Sequence, residues 1–306
     1  MTLALIFPGQ GSQYVGMARA LAASDSVASE VLADADEILG MNLTGLMADG
    51  PEDELLATKN AQPALLAHSV AVLRSVRDRL GPIGFAAGHS LGEFSALVAA
   101  GTLTFEDALR TVRLRGELMY EAGLAQPGTM AAVLGLTDEL VEDCCAQVDK
   151  GTCQAANFNS RGQVVISGDL AGIEQGSALA TEAGAKRVAR LSVSGAFHSE
   201  LMASAAEGLG EWLASVDFRD PDFPVISNVT AQPVTSGAEA RELLVRQVTA
   251  PVRWSASIAQ MVEAGVDRFL ELGPGKVLCG LNRRNAKGIP CSSLGEPDDF
   301  ASLESA

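Results

Sequence analysis

A serine forms an acyl ester only where its hydroxyl is held clear of the local backbone and a base lies within reach. One segment of the chain has the form for this, Gly88-His89-Ser90-Leu91-Gly92. It follows a short apolar run, Ile83-Gly84-Phe85-Ala86-Ala87, and leads into a helix-like run from Glu93 to Ala100. Strand, tight turn and helix are the setting in which G-x-S-x-G marks a nucleophile, here Ser90. The two glycines omit the Cβ atoms that would collide where strand and helix cross closely. A helix starting at Ser90 leaves the Leu91 amide unpaired at its positive end, a donor for an oxyanion. The plainer reading, a glycine-rich turn that happens to contain serine, leaves the two flanks unexplained.

The chain has three histidines to serve as base. His89 is in the turn itself, where the geometry aims it away from the hydroxyl. His68 lies in an amphipathic stretch expected to pack on the flank of a sheet. His198, in Ser194-Gly195-Ala196-Phe197-His198-Ser199, follows the serine and opens a helix, and is preferred by elimination. No acid between Ser90 and His198 sits in a convincing loop at a strand end, Asp169 included. The group that orients the imidazole is then a carbonyl or an amide. A second oxyanion donor is available at the Gln10 amide, in the glycine-rich loop Pro8-Gly9-Gln10-Gly11-Ser12-Gln13. That loop lacks the G-x-G-x-x-G spacing of a dinucleotide site.

These residues need a scaffold, and 306 residues with 47% hydrophobic and 20% charged side chains supply one of soluble globular type. A formal charge of -16 argues against nucleic-acid binding. The apolar runs are too short to cross a bilayer, and the start, Met1 to Phe7, reads as a first strand rather than a signal peptide. The five cysteines, Cys144, Cys145, Cys153, Cys279 and Cys291, are odd in number and lack C-x-x-C spacing. They predict no disulfide framework, no zinc or other metal site, and a cytoplasmic protein.

Leu3–Phe7 reads as a strand buried on both faces, as in a parallel sheet. Helical periodicity fills Val15 to Leu80, with a helix starting at Gln62-Pro63. Thr104 caps a helix running to about Ala125 that carries Arg110, Arg113 and Arg115. A glycine directly after Arg115 costs about 1 kcal/mol in mid-helix, so it predicts close backbone packing and an arginine aimed at something. After Pro127-Gly128 the pattern becomes strand Met130–Leu136, helix Asp138–Asp149, strands Thr152–Phe158 and Gln163–Ser167, helix Leu170–Ala183 and strand Lys186–Val193. This βαββαβ order is the ferredoxin-like arrangement. It predicts an insert over 128–194 within an α/β core made of 1–127 and 195–306. Asp267–Leu272 reads as the last buried strand, and the acidic tail from Gly295 onward as mobile.

Phe7-Pro8-Gly9-Gln10-Gly11-Ser12-Gln13, Gly88 to Glu93, Arg115-Gly116-Glu117-Leu118-Met119, Gly195-Ala196-Phe197-His198-Ser199 and Gly273-Pro274-Gly275-Lys276 occur in this order. With Ala61-Gln62-Pro63, Gln247 and Pro251, the set resembles the malonyl-CoA:acyl carrier protein transacylases of bacterial fatty-acid synthesis across nearly the whole chain. The resemblance implies an α/β-hydrolase-like core with a parallel sheet and a ferredoxin-like insert. It implies ping-pong transfer of malonyl from malonyl-CoA through Ser90 to the phosphopantetheine thiol of acyl carrier protein, with no cofactor. His198 is then the base and the main-chain carbonyl of Gln247 its partner. Arg115 holds the malonyl carboxylate, and Gln10, Leu91, Met119 and Phe197 line the substrate. Phe197 has two open roles, crowding an α-methyl branch or packing the domain junction. Carrier proteins of this kind are acidic, so docking needs a local basic patch, either Lys186, Arg187 and Arg190 or Arg283, Arg284 and Lys287. The expected state is a monomer. A polyketide acyltransferase with the same residues, a thioester hydrolase and a non-catalytic protein are the rivals. Arg115 argues against the hydrolase, and the intact site residues argue against the non-catalytic protein.

Overall fold

The computed structural model describes residues 2–303, which form two sheets flanked by helices. The strands are β1 (Leu3–Phe7), β2 (Ile83–Gly88), β3 (Gly128–Leu134), β4 (Cys153–Ser160), β5 (Gln163–Asp169), β6 (Arg187–Arg190), β7 (Val225–Ile226), β8 (Pro233–Val234), β9 (Arg268–Leu272) and β10 (Cys291–Leu294). The larger sheet has the order β10-β9-β1-β2-β7-β8 and is parallel except where β8 runs against β7.

Side chains of a strand alternate between faces, so an all-apolar β1 must feed two cores. Leu3, Leu5 and Phe7 enter one apolar cluster, and Ala4 and Ile6 enter another. The register pairs Phe7 with Gly88 and Ala87 with Ile226. The loops that follow β1, β2 and β7 therefore emerge side by side at one sheet edge, where parallel α/β sheets gather their chemistry.

The second sheet, β4-β5-β3-β6, is antiparallel throughout. Helices Asp138–Ala146 and Leu170–Glu182 connect its strands and share its own apolar cluster. The element order is the one predicted, with no boundary shifted by more than three residues. Main-chain bonds tie β4 to the chain after Gln247. Val252 N donates to Ala156 O (2.8 Å) and Phe158 N donates to Val252 O (2.9 Å).

Several expectations need correction. The helix predicted from Gln62-Pro63 begins at Thr58 and runs to Val76, with Pro63 inside it. Proline at that position frees the carbonyl four residues earlier, and Arg113 Nη1 donates to it, Lys59 O, at 3.1 Å. The stretch is buried on nearly every face rather than amphipathic, because both the Arg115 helix and the helix Ser26–Leu39 pack on it. Asp267–Leu272 is not the last strand, since β10 adds to the sheet edge beyond β9. Residues 295–300 are tied to the fold: Phe300 is buried, Tyr14 Oη donates to Glu296, and Asp299 accepts from the Gly295 and Glu296 amides. Residues 304–306 of the predicted tail lie outside the described residues, as does Met1.

Cys279 and Cys291 form a disulfide, against the prediction of none. Residue parity and spacing say nothing of a helix, Val277–Asn285, lying on β10 with the two Cα atoms 5.4 Å apart, inside the bridging range. Among the described residues, no helix is long and apolar enough to cross a membrane, and no group of His, Cys, Asp and Glu is arranged to hold a metal.

Candidate active site

The turn after β2 is as tight as its glycines require. A Cβ on Gly88 would lie 1.8 Å from the Gly92 carbonyl carbon, and one on Gly92 would lie 2.1 Å from Phe7 O. Ser90 has a φ of 50°, in the left-handed region that side chains with a Cβ avoid. A right-handed helix cannot include such a residue, so the helix begins at Gly92 and not at Ser90 as predicted. Leu91 immediately precedes it. Among the described residues, neither the Leu91 amide nor the Gln10 amide donates to a protein acceptor. The Gln10 loop lies on the turn, since a Cβ on the neighbouring Gly9 would sit 2.4 Å from His89 O. Gln10 Oε1 accepts from Thr58 Oγ1 at 3.1 Å.

His198 Nε2 is 2.8 Å from Ser90 Oγ. Its Nδ1 faces two main-chain oxygens, Gln247 O at 2.8 Å and Ala250 O at 3.2 Å. Carbonyls only accept, so the network assigns the ring proton to Nδ1 and leaves the Nε2 lone pair toward the serine hydroxyl. Burial, reinforced by the Arg115 guanidinium, pushes the imidazole down to about 3, so it stays neutral at ordinary pH. His198 also has a positive φ, 58°. Gln154 steadies it from β4, its Nε2 donating to His198 O (3.1 Å) and Thr249 O (3.4 Å).

Arg115 is 1% exposed. Its Nη1 donates to Gln62 Oε1 (2.7 Å), and its Nη2 donates to Gln247 Oε1 (3.0 Å) and Ser90 Oγ (3.1 Å). Its Nε is buried and lacks an acceptor among the described residues. Burial lowers the guanidinium to about 10, still a full cation at neutral pH. The predicted close packing at Gly116 is present, because a Cβ there would fall 2.7 Å from Lys59 Cα and 2.8 Å from Thr58 O. The predicted cap at Thr104 is present too, accepting from Asp107 N at 3.0 Å.

Of the other predicted residues, Met119 is buried with its sulfur 3.5 Å from Gln62 Nε2, beside the arginine. Phe197 is buried in the larger core, and its ring edge is the nearest atom to a Cβ built on Gly195, at 3.2 Å. Asp169 caps the helix Leu170–Glu182 and has no part here. His89 turns away as expected, its Nε2 2.8 Å from Asn159 Oδ1. His68 is fully buried, and among the described residues neither ring nitrogen has a partner.

Sequence reasoning missed the layer beneath Ser90. Asn228, at the end of β7, accepts from Ser90 N through Oδ1 (2.7 Å) and donates from Nδ2 to Gly88 O (2.7 Å). Gln247 Nε2 donates to Ser90 O (3.0 Å) and Glu93 Oε2 (2.7 Å). The available signal was a polar Ser227-Asn228 step ending an apolar strand, and a carboxylate opening an otherwise apolar helix.

Residues 4–295 match the acyl transferase domain family. The malonyl CoA-acyl carrier protein transacylase of Bacillus subtilis is 47% identical over 298 residues, covering 97% of this chain and 94% of that protein. The Escherichia coli K12 transacylase is 44% identical, covering 97% of each. An acyl carrier protein S-malonyltransferase from Vibrio cholerae superimposes with a TM-score of 0.96 at 42% identity, covering 99% of this chain and all of that one. A malonyl-transacylase solved in complex with a type II PKS acyl-carrier protein gives 0.96 at 40% identity, covering all of both chains. The chain belongs to the acyl transferase domain family and, within it, to the malonyl CoA-acyl carrier protein transacylases.

Proposed function

We propose that the chain transfers malonyl from malonyl-CoA to the phosphopantetheine thiol of acyl carrier protein through a malonyl ester on Ser90. The observation that carries this reading is one hydroxyl shared by a neutral imidazole and a buried guanidinium: Ser90 Oγ lies 2.8 Å from His198 Nε2 and 3.1 Å from Arg115 Nη2. A hydrolase of simple esters has no use for that cation, whereas a dicarboxylic half-thioester has a carboxylate to match it.

Ser90 Oγ attacks the thioester carbonyl while its proton passes to His198 Nε2. The carbonyl oxygen becomes an oxyanion held by the Leu91 and Gln10 amides. The carbon–sulfur bond breaks, CoA sulfur takes the proton from His198, and the malonyl ester remains. The carrier thiol then gives its proton to His198, attacks the ester, and Ser90 regains its proton. Gln247 O keeps the imidazole in the required tautomer without a carboxylate, which would repel the malonyl group. The chemistry needs no cofactor.

Met119 and Phe197 are the apolar neighbours assigned to the acyl group. For docking, the exposed Arg283, Arg284 and Lys287 are supported by their position beside the β4–β5 turn, where Arg284 Nη1 donates to Gln163 Oε1 (3.4 Å) and Asn285 Nδ2 to Asn159 O (2.9 Å). Lys186, Arg187 and Arg190 are also exposed. The strand orders support a hydrolase-like core of 1–127 and 195–306 carrying a ferredoxin-like insert, 128–194, which has its own apolar cluster. The Cys279–Cys291 bridge removes the cysteine argument for a reducing compartment. A cytoplasmic location remains the reading because CoA thioesters are made and used in the cytoplasm, and a monomer remains the expected state. The relative solved with a polyketide carrier supports a second reading that changes only the carrier.

Intact-mass spectrometry after mixing with malonyl-CoA tests the class. A malonyl adduct should appear on Ser90, be absent from Ser90→Ala, and move to added holo-carrier protein; fatty-acid and polyketide carriers compared side by side identify the cognate one. Free malonate without a transferable adduct would replace the transferase reading with a hydrolase.

A further inference from the structure

Glu93 is bonded directly into the layer beneath Ser90, yet the reaction as described gives it no step. It is 4% exposed, and its Oε2 accepts from Gln247 Nε2 (2.7 Å) and Asn228 N (3.1 Å). Carboxylates are common in the first turn of a helix because they answer its positive end. Glu93 Oε2 bonds instead to residues 247 and 228, far along the chain.

The Gln247 carboxamide fits its site by size in either of two orientations, and only its partners choose between them. A carboxylate accepts and a guanidinium donates. With Glu93 Oε2 (2.7 Å) and Ser90 O (3.0 Å) on one side and Arg115 on the other, the amide nitrogen faces the two acceptors, the shorter bond going to Glu93, and the oxygen faces Arg115 Nη2 (3.0 Å). Reversal would set two donors against each other at Arg115. The same Glu93 oxygen anchors Asn228, whose side chain holds Ser90 N and Gly88 O. The arm that sets the guanidinium and the arm that sets the nucleophile meet at one atom.

We propose that Glu93 is a positioning residue for acyl-group selection, fixing the Gln247 carboxamide so that its oxygen holds Arg115 Nη2 beside Ser90. This rests on the malonyl-transfer reading and adds a determinant to it. What matters is reach and acceptor character rather than net charge. Glu93→Asp keeps the charge but withdraws the carboxylate by one carbon–carbon bond, about 1.5 Å, beyond hydrogen-bond range of Gln247. Glu93→Gln keeps the length and an acceptor oxygen.

The test is single-turnover loading of Ser90 from malonyl-CoA and from acetyl-CoA, followed by intact mass. E93D should lower the malonyl-to-acetyl rate ratio about tenfold, the worth of one hydrogen bond to a charged group, while E93Q stays within about threefold of the parent. Equal losses for both donors in E93D would overturn the proposal, because a purely structural role predicts them. A ratio lost in E93Q but kept in E93D would overturn it in favour of charge. If E93D does not fold, Gln247→Met breaks the same relay from its other end while keeping the main-chain oxygen that holds His198. The same fall in ratio is expected there, and an unchanged ratio rejects the proposal. Failure of the parent chain to take malonyl on Ser90 would instead defeat the functional reading itself.

Discussion

Replacing Arg115 by alanine separates recognition of the acyl group from acyl transfer. The guanidinium is anchored at Nη1 by Gln62 and at Nη2 by Gln247, and its Nε has no acceptor among the described residues. Nε and Nη2 lie on one edge of a planar fork, so a carboxylate can take both N–H groups in parallel once it replaces Ser90 Oγ as the second acceptor at Nη2. Each charge-assisted bond contributes about 1.5–3 kcal/mol, and desolvation of the carboxylate offsets part of the pair. A net of about 3–4 kcal/mol remains, in line with the cost of breaking a buried ion pair. At 1.36 kcal/mol per tenfold, malonyl loading should fall by about 10²- to 10³-fold in R115A. An acetyl donor carries no carboxylate and loses only the contact between Nη2 and Ser90 Oγ. Part of that loss is returned, because the Arg115 charge helps hold His198 down and its removal makes the imidazole more basic. Acetyl loading should therefore fall by less than about tenfold, the worth of one neutral-acceptor bond. The assay is single-turnover loading of Ser90 from each donor, with thermal midpoints recorded as a check on folding. Equal losses for malonyl and acetyl in a folded variant would refute the argument.

Two stability predictions accompany this one. Burial lowers His68 to about 4, so as pH falls the unfolded chain takes up the proton first. The stability associated with a neutral His68 is present above about 6.5 and lost between there and about 4, some 2 kcal/mol of it by pH 5. His68→Leu should remove that share of the acid loss when urea unfolding at pH 7 and pH 5 is compared, and an unchanged difference would count against it. Gly116→Ala gains about 1 kcal/mol of helix propensity. Its methyl, however, would meet main-chain atoms of Thr58 and Lys59, an overpacking cost of about 1–3 kcal/mol. A lower melting temperature and slower malonyl loading are expected, and a raised melting temperature would show that propensity wins.

What could be read from the sequence was whatever local chemistry specifies. Ser90 was legible because two glycines and two flanking elements constrain one turn. His198 followed by elimination among three histidines, and Arg115 stood out because a mid-helix glycine beside it has a cost that packing must offset. The alternation of β1 between two cores and the βαββαβ order of residues 128–190 follow from periodicities of two and 3.6. The layer beneath the serine was not legible in the same way. Asn228 and Glu93 lie 135 positions apart and acquire meaning only when β7 pairs with β2. Ala250 O acts on His198 through the main chain, where side-chain identity carries little signal, and the Gln154 side chain reaches His198 O from a strand 44 positions away. The Pro63 helix and the Cys279–Cys291 bridge have the same cause: a neighbouring element supplies what local rules say is missing or unneeded.

The bond pattern around β4 bears on how the two sheets share one catalyst. Val252 exchanges main-chain hydrogen bonds with Ala156 and Phe158, and Gln154 spans the oxygens of His198 and Thr249. The segment that supplies the carbonyls for His198 Nδ1 is thus pinned at its far end to β4 of the smaller sheet by one bridge at Val252. The oxygens that face His198 belong to the same part of the chain as the histidine itself, and the smaller sheet braces them through Gln154 and Val252. A shift of the smaller sheet against the larger one would reach the contact between His198 Nε2 and Ser90 Oγ through these bonds, so activity is a gauge of how the two are seated. Excising residues 128–194 would take away the edge on which the base is registered, and a trimmed core would keep its serine but lose the setting of its histidine.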